Sequence, residues 1–405
     1  MKHTAAEPLR TPEQELLLGA IRVDRAWDGR LRDLLTQGLD WPALRQTALR
    51  QKVLPLLYTR LKALGEDVLP PEEMARLQEL YLANARATLM LSRRLLSVLN
   101  LLSGQGIEAL PLKGPALAIQ AYGDVALRQF PADLDILIHV EDLNRVYDLL
   151  IQAGYRALVP LKPKTAPWLP VAEKDLPFLG GGGMLEIHWA ASPSYLASRI
   201  SQERFWQQRT PLRLNGKEIR GLSPGDTCLL LCLHGAAHQW QRLGLIADLA
   251  HLARAYPNLD WLALLDWAER FHLRTILCLG LQLAERIGGA EFAPDVRARF
   301  HADSSARALA ARVMRRPFDG DETTLPPMTK FSFGLRSKEH FPDRLYYVFH
   351  RFLALTRDDL IATDLPDSLF PLYYLLRPWR LLRKYGRMLV TQWILGRRNP
   401  APRAR

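Results

Sequence analysis

The residues best suited to chemistry are carboxylates set in apolar surroundings. Asp133-Leu134-Asp135-Ile136-Leu137-Ile138 alternates acidic and aliphatic side chains before becoming wholly apolar. On a β-strand, residues i and i+2 point to one face. Asp133 and Asp135 therefore point together, and Leu134, Ile136 and Ile138 point into a core. Adjacent carboxylates repel, and one pKa rises unless a cation neutralises them. A divalent ion is the usual solution. Mg²⁺ prefers oxygen ligands and keeps positions for water and substrate phosphates, and Mn²⁺ suits the same donors. Met184-Leu185-Glu186-Ile187-His188-Trp189 has the same alternation, with Glu186 and His188 on one face. Glu186 thus offers a third carboxylate. Lys113-Gly114 reads as a strand-to-helix turn, where glycine allows close backbone approach and helical N–H groups attract phosphate. Taken singly, each piece has a blander meaning: a solvated acidic strand face, or merely a turn.

Downstream of Ser223-Pro224-Gly225-Asp226 the sequence is helical to about Ile287. His234, His238 and Arg242 recur at four-residue steps and share a helical face. That face is either a polar stripe or a cover over the carboxylates. Asp248 is placed to hold Arg242 or a histidine, and His188 can join the same network. Cys228, Cys232, His234 and His238 do not form a zinc site. At about 100° per residue the two pairs face different ways, and the cysteines sit among leucines as core residues.

The elements that must position these groups are legible. Residues 11–103 read as helices, with Thr11-Pro12 as a helix start and Pro70-Pro71-Glu72-Glu73 opening a long helix to about Leu102. Its apolar face is read as Leu82, Ala85, Leu89, Leu96 and Leu99. Strands are expected at Ile107–Leu112, Leu134–Val140 and Tyr155–Val159, with helices at Ala116–Tyr122 and Glu141–Ala153. Leu176–Leu179 and Met184–Trp189 read as a hairpin around four glycines. Pro160–Pro177 reads as a connection and Pro326-Pro327 as a linker. The expected class is α+β: a small mixed β-sheet core flanked by N-terminal and C-terminal helical regions. The expected boundaries are 1–103, 104–222, 223–325 and 326–405.

At 405 residues, 48% hydrophobic and 24% charged, the chain is of ordinary globular composition. Its three cysteines suit a reducing cytoplasm. The N-terminus lacks a signal-peptide core, and no apolar run reaches the length of a membrane span. The net charge of +12 is uneven: residues 371–405 carry nine basic side chains and no acid, leaving 45 basic and 42 acidic residues before them. No specific nucleic-acid partner is expected from this balance. Leu375 to Leu395 reads as a basic amphipathic helix, with Leu375, Trp379, Leu382, Tyr385, Leu389 and Trp393 on one face. Either that face packs on the body with the charges solvated, or it lies peripherally on an anionic membrane.

In this order the motifs resemble the DNA polymerase beta nucleotidyltransferase superfamily: a glycine turn, an Asp-x-Asp strand and a later acid. They more closely resemble a bacterial family of uncharacterised nucleotidyltransferases. Leu112-Lys113-Gly114, Arg128, Asp133-Leu134-Asp135-Ile136-Leu137 and Glu186-Ile187-His188-Trp189 match its pattern, as do His234-Gly235-Ala236-Ala237-His238, Arg242-Leu243 and Asp248-Leu249. The resemblance implies that residues 104–222 are a catalytic core and that 223–325 cover its active site. It implies a Mg²⁺-dependent transfer of a nucleoside monophosphate from a nucleoside triphosphate to a hydroxyl acceptor, a small molecule or a protein side chain, with release of pyrophosphate. Asp133, Asp135 and Glu186 would be catalytic and metal-binding. Lys113, Gly114, Arg128, His188, His234, His238 and Arg242 would contact nucleotide or phosphate, with Asp248 behind them. The alternative is an inactive nucleotide-binding or membrane-associated accessory protein of the same fold.

Overall fold

A computed structural model describes residues 10–65, 68–130, 133–159, 161, 173–197, 202–316, 318, 325–356, 359, 369 and 372–383. The N-terminal helices are α1 (Pro12–Ala20), α2 (Asp28–Leu35), α3 (Trp41–Arg50), α4 (Leu54–Leu64) and the long α5 (Pro71–Ser103). Thr11 caps α1 through its side chain, with Gln14 reciprocating, and Pro71 opens α5. The mixed section follows: β1 (Ala109–Pro111), α6 (Gly114–Tyr122), β2 (Asp133–Ile138), α7 (Leu143–Gln152), β3 (Arg156–Ala157), β4 (Asp175–Gly180) and β5 (Gly183–His188). Short helices α8 (Ser194–Ala197) and α9 (Glu203–Gln207) lead to a hairpin that the sequence reading did not anticipate, β6 (Thr210–Leu214) and β7 (Lys217–Gly221). Then come α10 (Pro224–Ala237), α11 (Leu243–Ala255), α12 (Trp261–Arg270), α13 (Arg274–Arg286), α14 (Pro294–His301), α15 (Ser304–Met314), α16 (Pro327–Arg336) and α17 (Phe341–Leu353). Residues 372–383 form a last helix, α18. Most of the 160–177 connection and the chain after residue 383 lie outside the described residues.

The main sheet has the order β1-β2-β5-β4-β3. β2 and β5 are parallel, and the other pairs are antiparallel. Alternation assigns the two faces. Leu134, Ile136, Ile138, Leu185 and Ile187 enter a core shared with Leu95 and Val98 of α5 and Val146 of α7. On the other face, Leu137 packs with Leu110, Leu112, Phe205, Trp206 and Leu230. The four-glycine stretch closes tightly: Gly180 and Gly183 pair in register, so only Gly181 and Gly182 form the turn. Both have positive φ, +55° and +85°, which glycine adopts without a Cβ penalty.

The apolar face read for α5 holds near its C-terminal end, where Leu96 is buried and Leu99 packs against the core, and is displaced before that. Leu82 and Leu89 are exposed, whereas Leu77, Asn84, Thr88, Leu91, Ser92 and Leu95 are buried. Polar residues occupy the inner face because they do structural work there. Asn84 Nδ2 donates to the carbonyls of Ala126 (3.0 Å) and Arg128 (3.2 Å), and its Oδ1 accepts from Phe130 N (2.7 Å). Nearly three turns on, Arg94 Nη1 and Nη2 donate to the carbonyls of Met184 and Gly183, both at 2.9 Å. One helix therefore pins the approach to β2 and the start of β5. The Pro326-Pro327 linker reading also gives way, since Pro327 opens α16, a first-turn position where its missing N–H costs nothing.

The C-terminal helix is turned opposite to one that packs its apolar stripe. Arg377 is buried at 4% exposure, while Leu375, Trp379 and Leu382 are 73, 68 and 68% exposed.

Asn84→Ala leaves three backbone groups without their partner and is expected to destabilise the fold by about 1–3 kcal/mol. Urea denaturation measures this. A change below about 0.5 kcal/mol, the range of inconsequential surface substitutions, would show that the loop before β2 is held by other means.

Candidate active site

The parallel pairing sets the site. Asp135 lies opposite Glu186, Asp133 opposite Met184 and Leu137 opposite His188. Asp133, Asp135, Glu186 and His188 thus share the face that the alternation assigns to them. The inner end of this face is closed by Leu137 and its apolar neighbours. Gly114 follows β1 and opens α6 at φ +63°, a conformation that strains any residue with a Cβ. Lys113 is the residue immediately before that helix.

Lys113 turns inward. Its ammonium lies 3.1 Å from Asp135 Oδ2, and Asp133 and Glu186 are near enough to act on its charge. Burial alone would lower the Lys113 pKa, but the three carboxylates outweigh it and the net direction is upward. His188 Nε2 is 3.0 Å from Asp135 Oδ1 and 3.4 Å from Glu186 Oε2. Its Nδ1 faces the Lys174 ammonium at 3.5 Å. Lys174 can only donate, so neutral His188 carries its proton on Nε2 and offers it to the carboxylates. Burial and Lys174 push the His188 pKa down, but its bonds to Asp135 and Glu186 carry it above the usual value.

The two aspartates are electrostatically unlike. Burial raises the pKa of Asp135, but Lys113 and His188 overcome this and hold it well below the ordinary carboxylate range. Asp133 is raised by burial and by the charge of Asp135, with Glu186 adding to the effect. The site therefore carries negative charge that its own cations do not fully neutralise. Ligand atoms of Asp135, Glu186 and His188 lie within 4.8 Å of one another. The carboxylates of Asp135 and Glu186, with the adjoining Asp133 carboxylate, suit a divalent ion such as Mg²⁺ or Mn²⁺, and His188 orients Asp135 and Glu186 through its Nε2 proton.

Around this centre the structure redistributes the other expected residues. Arg128 is paired with Asp248 through Nε (3.0 and 3.1 Å) and Nη2 (3.0 Å). Tyr122 donates to the same carboxylate at 2.8 Å. Asp248 therefore holds Arg128, a partner the sequence reading did not assign to it, tying α11 to the loop before β2. The remaining Arg128 nitrogen, Nη1, is buried without a hydrogen-bond partner among the described residues. It is an unused donor on a cation close enough to Asp135 to feel its charge. His234 and His238 do face one another, with ring centroids 4.5 Å apart. Burial and the nearby Lys113 charge hold the His234 pKa well below its usual value, so the ring is neutral at pH 7. Arg242 does not share their helix face. α10 ends at Ala237, Gln239 and Trp240 take left-handed φ, and Arg242 precedes α11. The break is enforced by packing: Trp240 is fully buried, and a Cβ on Gly235 would sit 2.4 Å from its ring. Cys228, Cys232 and Cys278 are buried free thiols.

The site thus combines a small mixed sheet bearing acids on adjacent parallel strands with a basic glycine turn beside them. The family model for uncharacterised nucleotidyltransferases matches residues 37–289. The chain belongs to that family and is a transferase of phosphorus-containing groups. The match spans all of the site residues above and ends before α14. No curated protein matches the chain.

The two aspartates should respond oppositely to amidation. Asp133→Asn removes a carboxylate whose folded pKa is raised, so it should raise the melting temperature at pH 7. That gain should vanish as the pH falls through the raised pKa towards about 3.8, because wild-type Asp133 then becomes neutral too. Asp135→Asn removes a carboxylate whose pKa is depressed, leaving Lys113 and His188 poorly partnered. It should destabilise at pH 7 by about 1–3 kcal/mol. Thermal melts from pH 4 to 8 measure both, and equal effects of the two substitutions would contradict the assigned asymmetry.

Proposed function

We propose that the protein transfers a nucleoside monophosphate from a nucleoside triphosphate to a hydroxyl acceptor in a Mg²⁺- or Mn²⁺-dependent reaction. The observation carrying this reading is the convergence of Asp133, Asp135 and Glu186 on one sheet face, with Lys113 among them. A divalent ion held by these carboxylates supplies charge neutralisation and alignment of the triphosphate.

The chain's own groups divide the remaining work. Lys113 is bound to Asp135 by one ion pair; its ammonium exchanges that partner for a phosphate oxygen when nucleotide enters. Arg128 is fixed by Asp248 and Tyr122, and its free Nη1 donor serves a second phosphate oxygen. This rigid mount gives a directed hydrogen bond with little ordering cost. Glu186, the more open of the carboxylates joined by His188, receives the proton of the attacking hydroxyl. The acceptor oxygen forms a bond to the α-phosphorus, the bond from α-phosphorus to the bridging oxygen breaks, and pyrophosphate departs with that oxygen. His234, neutral and close to Lys113, lies against His238, and the pair contacts nucleotide or acceptor.

Incubation with each labelled nucleoside triphosphate, Mg²⁺ or Mn²⁺ and cell extract tests the reading. Label should pass to an acceptor with wild type and not with Asp135→Asn; equal labelling by both would refute it. In binding assays Lys113→Ala should weaken triphosphate by roughly 10–100-fold, as expected for loss of a charge-assisted hydrogen bond. Nucleoside affinity should change little. Equal losses for both ligands would place Lys113 away from the phosphates.

A further inference from the structure

Two C-terminal helices present apolar faces to solvent, and both lie beyond the part of the chain matched by the family model. On α17, Phe341, Leu345, Phe349 and Phe352 recur at four- and three-residue steps and are 75, 52, 59 and 50% exposed. The opposite side of α17 is engaged with the body. Tyr347 is buried against Gly334, His350 Nε2 is 2.9 Å from Ser194 Oγ, and Asp343 Oδ2 is 2.6 Å from His272 Nδ1. The phenylalanines therefore have no freedom to roll inward without breaking these contacts.

On α18 the arrangement is inverted relative to a surface helix. Arg377 is buried, with Nε and Nη2 donating to the carbonyls of Phe352 (3.1 Å) and Arg351 (3.2 Å) and Nη1 paired with Asp359. Arg380 Nη2 also reaches Asp359, at 2.6 Å. Burying a charge in this way is costly unless it is paired and hydrogen-bonded. Here both conditions are met, and the result is a helix clamped to the end of α17 with Leu375, Trp379 and Leu382 outermost. The two exposed faces are thus joined through Arg377.

We propose that α17 and α18 together form a docking face for an anionic lipid surface. Charge selects this occupant. Residues 371–405 hold nine basic side chains and no acid; Arg377 and Arg380 are engaged by Asp359, and the other seven give a composition that an anionic headgroup layer complements. Tryptophan, phenylalanine and leucine beside arginine suit the boundary between headgroup and acyl chain. Among the described residues no helix is long and apolar enough to cross a membrane, so the contact is peripheral. The proposal is independent of the reaction assigned to the carboxylate site.

Flotation of the full chain with vesicles of phosphatidylcholine alone, or of an equal mixture with phosphatidylglycerol, tests it. Wild type should float with the anionic vesicles and not with the neutral ones. Binding should fall as salt shortens the Debye length below its value of about 8–10 Å at moderate ionic strength. The double variant Phe349→Glu and Trp379→Glu should lose about tenfold or more in partitioning with an unchanged melting temperature, because both side chains are already exposed. Unchanged flotation of the variant would overturn the proposal, as would failure of wild type to float. A lowered melting temperature would show that the face is covered by the chain itself, and a shift from dimer to monomer in sedimentation that a second copy covers it; either result also overturns the proposal.

Discussion

Three carboxylates facing one way is a repulsive arrangement, and the rest of the structure is organised around making it tolerable. The β2–β5 register brings Asp135 and Glu186 side by side. Lys113 and His188 then divide the charge of Asp135 between them at 3.1 and 3.0 Å. The compensation does not extend to Asp133, whose pKa is raised by burial and by the charge of Asp135. A folded site with uncompensated like charge would gain from an added cation.

Holding such a centre requires anchors outside it. α5 reaches the loop before β2 through Asn84 and the start of β5 through Arg94. α11 reaches the same loop through Asp248 and Arg128. The acids are consequently borne by strands whose approaches are fixed from two sides, so their spacing is held against their own repulsion. The same anchoring leaves Arg128 Nη1 buried without a hydrogen-bond partner among the described residues.

The face-sharing of Asp133 with Asp135 and of Glu186 with His188 was legible because strand alternation is a local rule that tertiary packing seldom reverses. The parallel pairing of the two strands was not legible, since no local signal sets it. The inner face of α5 was misread because Asn84, Thr88 and Ser92 are polar; their four-residue spacing was the available clue. The joint face of His234, His238 and Arg242 assumed one continuous helix, and the burial of Trp240 against Gly235 ended it. The orientation of α18 was hidden for a related reason. The favourable burial of Arg377 depends on Asp359, a partner 18 residues away in sequence.

The central claim is that the carboxylate face binds a divalent cation. Equilibrium binding of Mn²⁺, followed by electron paramagnetic resonance in wild type and in Glu186→Gln, tests it most directly. The expected result is a saturable site in wild type whose affinity falls by about tenfold or more in Glu186→Gln, with the fold preserved. Equal Mn²⁺ affinity in the two proteins would contradict the account.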